Sequence, residues 1–269
     1  MRGKNLLILH NFGGVGKSTI GGCLIHPRVG GELMSIETNN TDAERYGVRV
    51  RRYAAAQYSD YYRDLRRFSV YGNTVTDVGA SNAEAFIDKV NESGGRDQFD
   101  YIVVPATQND RGQIETITTI QTLLDNVGVD PDRIRVVLNM VRKPVRTAPI
   151  EGEFTHLFAF AEQDRRVKIN PKCYIPQLQL FSHLAAANRS WLDVVNDRTD
   201  YSAKIMEAIN AGDTTAEELA CDNALLQEMA GQARDILDRA WAELNIDIHE
   251  PARKVAAPAT SVPTEQHEQ

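Results

Sequence analysis

One stretch near the start of the chain limits the fold more than any other: Leu6-Leu7-Ile8-Leu9-His10-Asn11-Phe12-Gly13-Gly14-Val15-Gly16-Lys17-Ser18-Thr19. A short apolar run ends in a glycine-rich turn, the turn ends in Lys-Ser-Thr, and a helix-compatible segment follows. Glycines let backbone N–H groups converge on an anion without Cβ atoms in the way. The helix that follows adds its unpaired N-terminal donors and the positive end of its dipole. In such a loop Gly13, Gly14, Val15, Gly16, Lys17, Ser18 and Thr19 cradle phosphates. Lys17 reaches the β- and γ-phosphates and the Ser18 hydroxyl ligates Mg²⁺. The strict pattern has glycine five residues before Gly16. This chain has Asn11, which tolerates a left-handed backbone better than most residues.

The chain beyond the loop alternates between two periods. A helix is expected to about residue 25, stopping before Pro27. Glu32-Leu33-Met34-Ser35-Ile36 reads as a strand ending in the polar run Glu37-Thr38-Asn39-Asn40-Thr41-Asp42. Polar residues at the carboxyl end of a parallel strand are placed to face a ligand, or simply form a surface loop. From Asn73 a β-branched strand is expected that ends in the acid Asp77. Gly79 follows, then Ser81, placed to cap a helix over 82–91. An acid at this position is placed to hold Mg²⁺ or its water shell; alternatively it organises a turn. Phe99 to Val104 and Ile134 to Asn139 are near-continuous apolar runs, as buried parallel strands read. Between them, helix 112–126 places Ile114, Ile117, Leu123 and Leu124 on one face. A helix over 151–166, a short strand over 173–175 and helices over 177–187, 191–210 and 216–244 complete the pattern. In the last helix Leu219, Leu226, Met229, Ala233, Ile236, Ala240 and Leu244 recur at helical spacing.

The expected fold class is therefore α/β: a mostly parallel sheet flanked by helices, with C-terminal helices and a disordered tail. The expected divisions are a nucleotide-binding domain over 1–185, a helical region over 186–249 packed on that domain or on a partner, and a tail over 250–269 rich in Pro, Ala, Thr and Glu. With 42% hydrophobic and 25% charged residues the chain is ordinary globular material, and its net charge of -7 argues against a generally nucleic-acid-coating protein. Arginines and tyrosines interleave over residues 45–71. They suit either an amphipathic helix with solvated arginines, or contact with nucleic acid or a protein partner. Asp42, Glu44, Asp60 and Asp64 dilute the charge there. The three cysteines, Cys23, Cys173 and Cys221, show no metal-ligand spacing and read as reduced thiols. No apolar run reaches the length of a membrane span, and the first strand starts too near Met1 to leave room for a leader, so a cytoplasmic location is expected.

Several motifs now stand in one order. Gly13 to Thr19 resembles the Walker A loop of the ParA/MinD group of P-loop ATPases, and Asp77-Val78-Gly79 resembles that group's Walker B acid and switch glycine. The Val137-Leu138-Asn139 strand end is similar to the place where the group contacts adenine, and Tyr174-Ile175-Pro176 resembles the segment that covers the base. More narrowly, the segments Asp77 to Asn82 and Ile102 to Thr107 resemble the plasmid-encoded StbB/TraL-like branch, linked to plasmid stability and conjugation. The resemblance covers about residues 1–185 and implies an ATP site with Mg²⁺. Asn139 and Pro176 would then flank the base, Ser18 and Asp77 would hold the metal, and Lys17, Asp77 and Glu37 or Asn39 would carry hydrolysis.

Two departures qualify what is implied. The group's distinguishing lysine precedes the glycine pair and reaches across an ATP-sandwiched dimer; Phe12 stands there in this chain. The group's second strand ends in Asp-x-Asp, matched here by Glu37 and Asn39, and an amide neither acts as a carboxylate base nor carries charge for Mg²⁺. The resemblance thus implies either a weak ATPase switch in plasmid stability, partition or conjugation, or a nucleotide-gated adaptor that scarcely hydrolyses ATP and binds a DNA-binding protein. A homodimer fits both, and a small-molecule kinase or ligase sharing the loop is a third reading. Direct nucleic-acid contact through residues 45–71 is the weaker partner assignment.

Overall fold

The computed structural model describes residues 2–37, 43–142 and 149–248. Among them seven strands form one sheet: β1 (Asn5–Ile8), β2 (Glu32–Ile36), β3 (Arg51–Tyr53), β4 (Thr74–Val78), β5 (Tyr101–Thr107), β6 (Ile134–Val141) and β7 (Tyr174–Pro176). Their order across the sheet is β3-β2-β4-β1-β5-β6-β7, and every pairing is parallel. β1 lies at the centre between β4 and β5. The chain leaves β1 toward one side of the sheet, and the connection from β4 to β5 crosses to the other. That reversal opens a crevice beyond the carboxyl end of β1, where the glycine loop sits.

Parallel strands need helical crossovers, so both sheet faces are covered. Strand alternation sorts the core accordingly. Leu6, Ile8, Leu33, Val75, Val103 and Val137 pack on one face with Ile20, Leu24 and the C-terminal helices, through Leu226, Ala230, Ala233, Leu237, Ala240 and Leu244 of the Thr214–Leu244 helix. Leu7, Leu9, Met34, Val78, Ile102 and Val104 pack on the other with Tyr61, Leu65, Phe86, Leu123 and Phe154. Asp77 is one residue out of phase with Val78 and two from Val75, so it shares the face of the helix that follows the loop.

The structure departs from the sequence reading in five places. First, the helix after the loop does not stop at residue 25. It runs over 17–29 as a turn (Lys17–Thr19), a π-helical stretch (Ile20–Ile25) and a last turn (His26–Val29) that contains Pro27. Proline removes a donor there, and the Arg28 guanidinium meets the exposed carbonyls instead, 3.0 Å from that of Leu24 and 3.5 Å from that of Cys23. Second, β3 adds an edge strand inside the Arg/Tyr stretch, where only helix was expected; three residues are too few to establish a period. Third, β5 continues through Pro105 to Thr107. Residue 105 points its backbone toward β1, as Val103 does, beyond the last ladder residue Ile8, so the missing N–H leaves no central ladder bond unmade.

Fourth, the helix expected over 191–210 is two, Trp191–Val195 and Tyr201–Ala211. Asp197 breaks it by accepting from the Thr199 N–H, the Tyr201 hydroxyl and Arg189, while Asp200 caps the second piece through the Ala203 N–H. Fifth, the helix over 110–127 buries only part of the expected face, Leu123 and Leu124, with Ile117 partly buried against the core. Gln113, Thr116, Thr119, Ile120 and Leu123 face inward, and Ile114 is 53% exposed. In the Thr214–Leu244 helix, similarly, Leu219 shares the stripe but lies exposed, ahead of the part that meets the sheet. The tail expected from residue 250 lies outside the described residues.

Candidate phosphate-binding site

The loop takes the backbone its glycines permit. Gly14 and Gly16 have φ of 77° and 87°, in the left-handed region that other residues avoid. Gly16 has a second reason to lack a Cβ, because one built there would strike the Asn139 side-chain amide. Asn139, buried near the end of β6, donates from Nδ2 to the Val15 carbonyl at 2.9 Å. The residue expected at the base is thus also a brace beneath the loop. Met140 beside it has φ of 58°, a left-handed conformation outside glycine, within the stretch of β6 where the register against β7 shifts between Leu138 and Val141. Pro176 ends β7 next to it, in register with Val141.

Lys17 lies inside the loop. Its Nζ donates to the carbonyls of His10 and Phe12, each at 3.2 Å, and its side chain is buried. Burial lowers its pKa, while the charges of Asp77 and then Glu37 act in the opposite direction. Both carboxylates therefore lie close enough to feel the ammonium. Asp77 pairs in register with Ile8 of β1 and Ser35 of β2, at the foot of the loop. The Glu37 carboxylate sits over Gly79, where a Cβ would collide with it, and accepts from the Ser81 hydroxyl at 3.4 Å. Ser81 thus serves Glu37 and makes no cap bond to the helix Ala83–Glu92. The Gly79 N–H donates to the Ile36 carbonyl at 2.9 Å. Asn39 and Asp42 lie outside the described residues.

Ser18 is half-buried at the start of the loop helix, and Thr19 points inward. The Thr19 hydroxyl bonds the Tyr46 hydroxyl at 2.7 Å, and Arg45 donates to the same Tyr46 oxygen at 2.9 Å. The side chain of Thr19 therefore ties the loop helix to the segment Ala43–Tyr46 beyond β2. Among the described residues no cluster of three or more His, Cys, Asp or Glu side chains is set to hold a metal. Ser18 and Asp77 are nevertheless hard oxygen donors of the kind Mg²⁺ takes in ones and twos alongside phosphate oxygens.

The sequence reading missed the brace on the other side. His10 is fully buried. Its Nδ1 accepts the Phe12 N–H at 2.9 Å, so the ring proton sits on Nε2 and is donated to Thr116 Oγ1 at 3.0 Å. Thr116 in turn donates to the Gly112 carbonyl at 2.7 Å. Burial first, and the Lys17 charge second, push the His10 pKa down to about 4, so the ring is neutral at physiological pH. The Asn11 N–H donates to Thr119 Oγ1 at 3.3 Å, and the Arg111 guanidinium lies 4.6 Å from the centre of the Phe12 ring. The two threonines three residues apart, Thr116 and Thr119, were the available signal.

Three arginines of the Arg/Tyr stretch meet carboxylates. Arg51 lies 3.8 Å from Glu32 and over the Phe68 ring, Arg52 pairs with Glu44, and Arg63 lies 3.2 Å from Asp60. Tyr46, Tyr53 and Tyr61 are buried. No described helix is long and apolar enough to cross a membrane.

Compared with known proteins, the chain matches no family model and no curated protein. Solved structures do resemble it. An ATP complex of McdA from Cyanothece is 14% identical, with 86% of this chain and 97% of that one covered at a TM-score of 0.47. The MinD cell division protein of Aquifex aeolicus is 11% identical over 85% and 97%, at 0.49. A plasmid partition protein of Borrelia burgdorferi bound to AMPPNP is 12% identical over 84% and 98%, at 0.43.

Proposed function

We propose that this chain binds ATP with Mg²⁺ at the 11–19 loop and uses the bound nucleotide as a switch of the ParA/MinD kind. The observation that carries the reading is Lys17, buried at the centre of the glycine loop with Asp77 and Glu37 beside it. A lysine with a merely structural task runs its stem along apolar surface and leaves its ammonium in water. Holding the cation on two backbone carbonyls keeps it where a phosphate would meet it. In this reading the loop amides and the helix start hold the phosphates and Lys17 neutralises the β- and γ-oxygens. Ser18 and Asp77 would hold Mg²⁺, which would supply positive charge to the phosphates. Glu37 or Asn39 orients water, and Asn139 and Pro176 flank the base. Positioning and charge stabilisation are most of what such a hydrolysis needs.

A second reading, an adaptor that binds nucleotide and scarcely hydrolyses it, is favoured by one contact. The Gly79 N–H is committed to Ile36 and its Cα face is covered by Glu37, so the glycine must swing before it can turn to a γ-phosphate. We further propose a role in plasmid stability, partition or conjugation, in the cytoplasm, with a DNA-binding protein as partner and a homodimer as working form; the StbB/TraL-like motifs support this. Equilibrium ATP titration with and without Mg²⁺ tests the core. Binding that is lost in Lys17→Ala is expected; no binding, or binding indifferent to that change, overturns it. Phosphate release by wild type and Asn39→Asp then separates the two readings. Turnover that stays at background in wild type and rises in the variant marks an adaptor that has lost part of the acid set.

A further inference from the structure

We propose that Arg111 is a second cation for the nucleotide, held on the Phe12 ring and directed at the terminal phosphate. The inference rests on the ATP reading above and adds a residue to that site. Lys17 Nζ touches the Phe12 carbonyl at 3.2 Å, and in a loop of this pattern that lysine lies against the β- and γ-phosphates. The Phe12 backbone therefore stands beside the end of the phosphate tail, and the guanidinium over its ring, 4.6 Å from the centroid, is carried by the same residue.

Stacking fixes a guanidinium by its face and leaves its N–H donors, which lie in the plane, turned outward. Arg111 thus keeps its hydrogen-bonding capacity while its position is set. Its acidic neighbour, Glu115, lies 4.0 Å away at the limit of an ion pair, and the side chain is 74% exposed. Such a contact is weak and easily exchanged for a phosphate. The charge at the mouth calls for it. With Asp77 engaged by Mg²⁺, Glu37 still offsets Lys17, so the end of a polyanion entering here gains from another cation. The Phe12 backbone is itself anchored through its N–H to His10, which makes the ring a fixed platform.

The test is calorimetric titration of ATP and of ADP, both with Mg²⁺, into wild type, Arg111→Gln, Arg111→Lys and Phe12→Leu. Arg111→Gln is expected to weaken ATP roughly tenfold, the scale of one lost charge-assisted hydrogen bond, and ADP less than about twofold. Arg111→Lys should fall between, and Phe12→Leu should weaken ATP through loss of the platform. Added NaCl should lower the ATP-to-ADP affinity ratio of wild type more steeply than that of Arg111→Gln. Equal effects on ATP and ADP, or none, overturn the proposal while leaving ATP binding intact. A wild type that binds neither nucleotide overturns both readings together. Arg111→Gln is fully exposed to comparison, because unchanged thermal melting without nucleotide shows that the variant folds.

Discussion

Replacing Gly16 by alanine should damage the loop through two separable costs. The backbone there has φ of 87°, and forcing a Cβ into the left-handed region costs about 1–2 kcal/mol. The same Cβ would strike the Asn139 amide and push it off the Val15 carbonyl. Leaving that buried carbonyl without its donor costs about 1–3 kcal/mol more. Gly16→Ala should therefore lose roughly 2–5 kcal/mol in urea unfolding. The two parts come apart in a double-mutant cycle with Asn139→Ala. That single change removes the donor and should cost about 1–3 kcal/mol by itself. With the amide gone the close atom left is Met140 Cε at 3.3 Å, the far end of a flexible side chain that can yield, so Gly16→Ala in that background should cost little beyond the backbone part, about 1–2 kcal/mol. The cycle should then show a coupling of about 1–3 kcal/mol. Costs that simply add, to within about 0.5 kcal/mol, would refute the idea that Asn139 is the loop's brace.

Other expectations concern the core and its buried groups. His10 has a folded pKa of about 4 against 6.5 unfolded, so below pH 6.5 the unfolded chain takes up the proton first. Stability should fall by about 3 kcal/mol between pH 6.5 and 4 on this account, and the acid limb of His10→Gln in urea midpoints against pH should be correspondingly flatter. Parallel limbs would contradict it. Of the three thiols, Cys23 and Cys173 are buried with raised pKa values, that of Cys173 to about 12, so a thiol reagent should titrate Cys221 alone until urea is added. Leu237→Ala, at a fully buried position, should cost about 2–5 kcal/mol by chemical denaturation, whereas Leu219→Ala on the same stripe should stay within about 0.5 kcal/mol.

What was legible in the sequence was whatever local chemistry determines. The loop, strand β2 to the residue, the acid in β4 and the alternation that forces a parallel sheet all follow from short-range pattern. Contacts between distant segments were not legible. Nothing local announces that Asn139 reaches Val15, that Tyr46 reaches Thr19, or that His10 reaches Thr116. The helix over 110–127 shows why. Its isoleucines and leucines suggested one inward face, but threonines satisfied by their own helix carbonyls can be buried, and the loop's backbone and His10 needed hydroxyl partners. The split at residues 196–200 was hidden for a related reason. An aspartate reads as tolerable in a helix until its carboxylate finds Arg189 and Tyr201.

The Thr214–Leu244 helix carries a mechanical consequence. It has 31 residues and is therefore about 46 Å long. From Leu226 onward it is sunk in the core of the sheet, while before that point Ala220 is its buried residue and the helix Tyr201–Ala211 packs alongside. One rod is thus clamped on the sheet at one end and held by a neighbouring helix at the other. The clamped end shares the fate of the whole fold, and its amides should exchange with deuterium only on global opening, whereas the outer turns should exchange through small local excursions. A displacement of a degree at the clamp is a longer stroke at the tip, which makes this helix a lever whose fulcrum lies over β6 and β7.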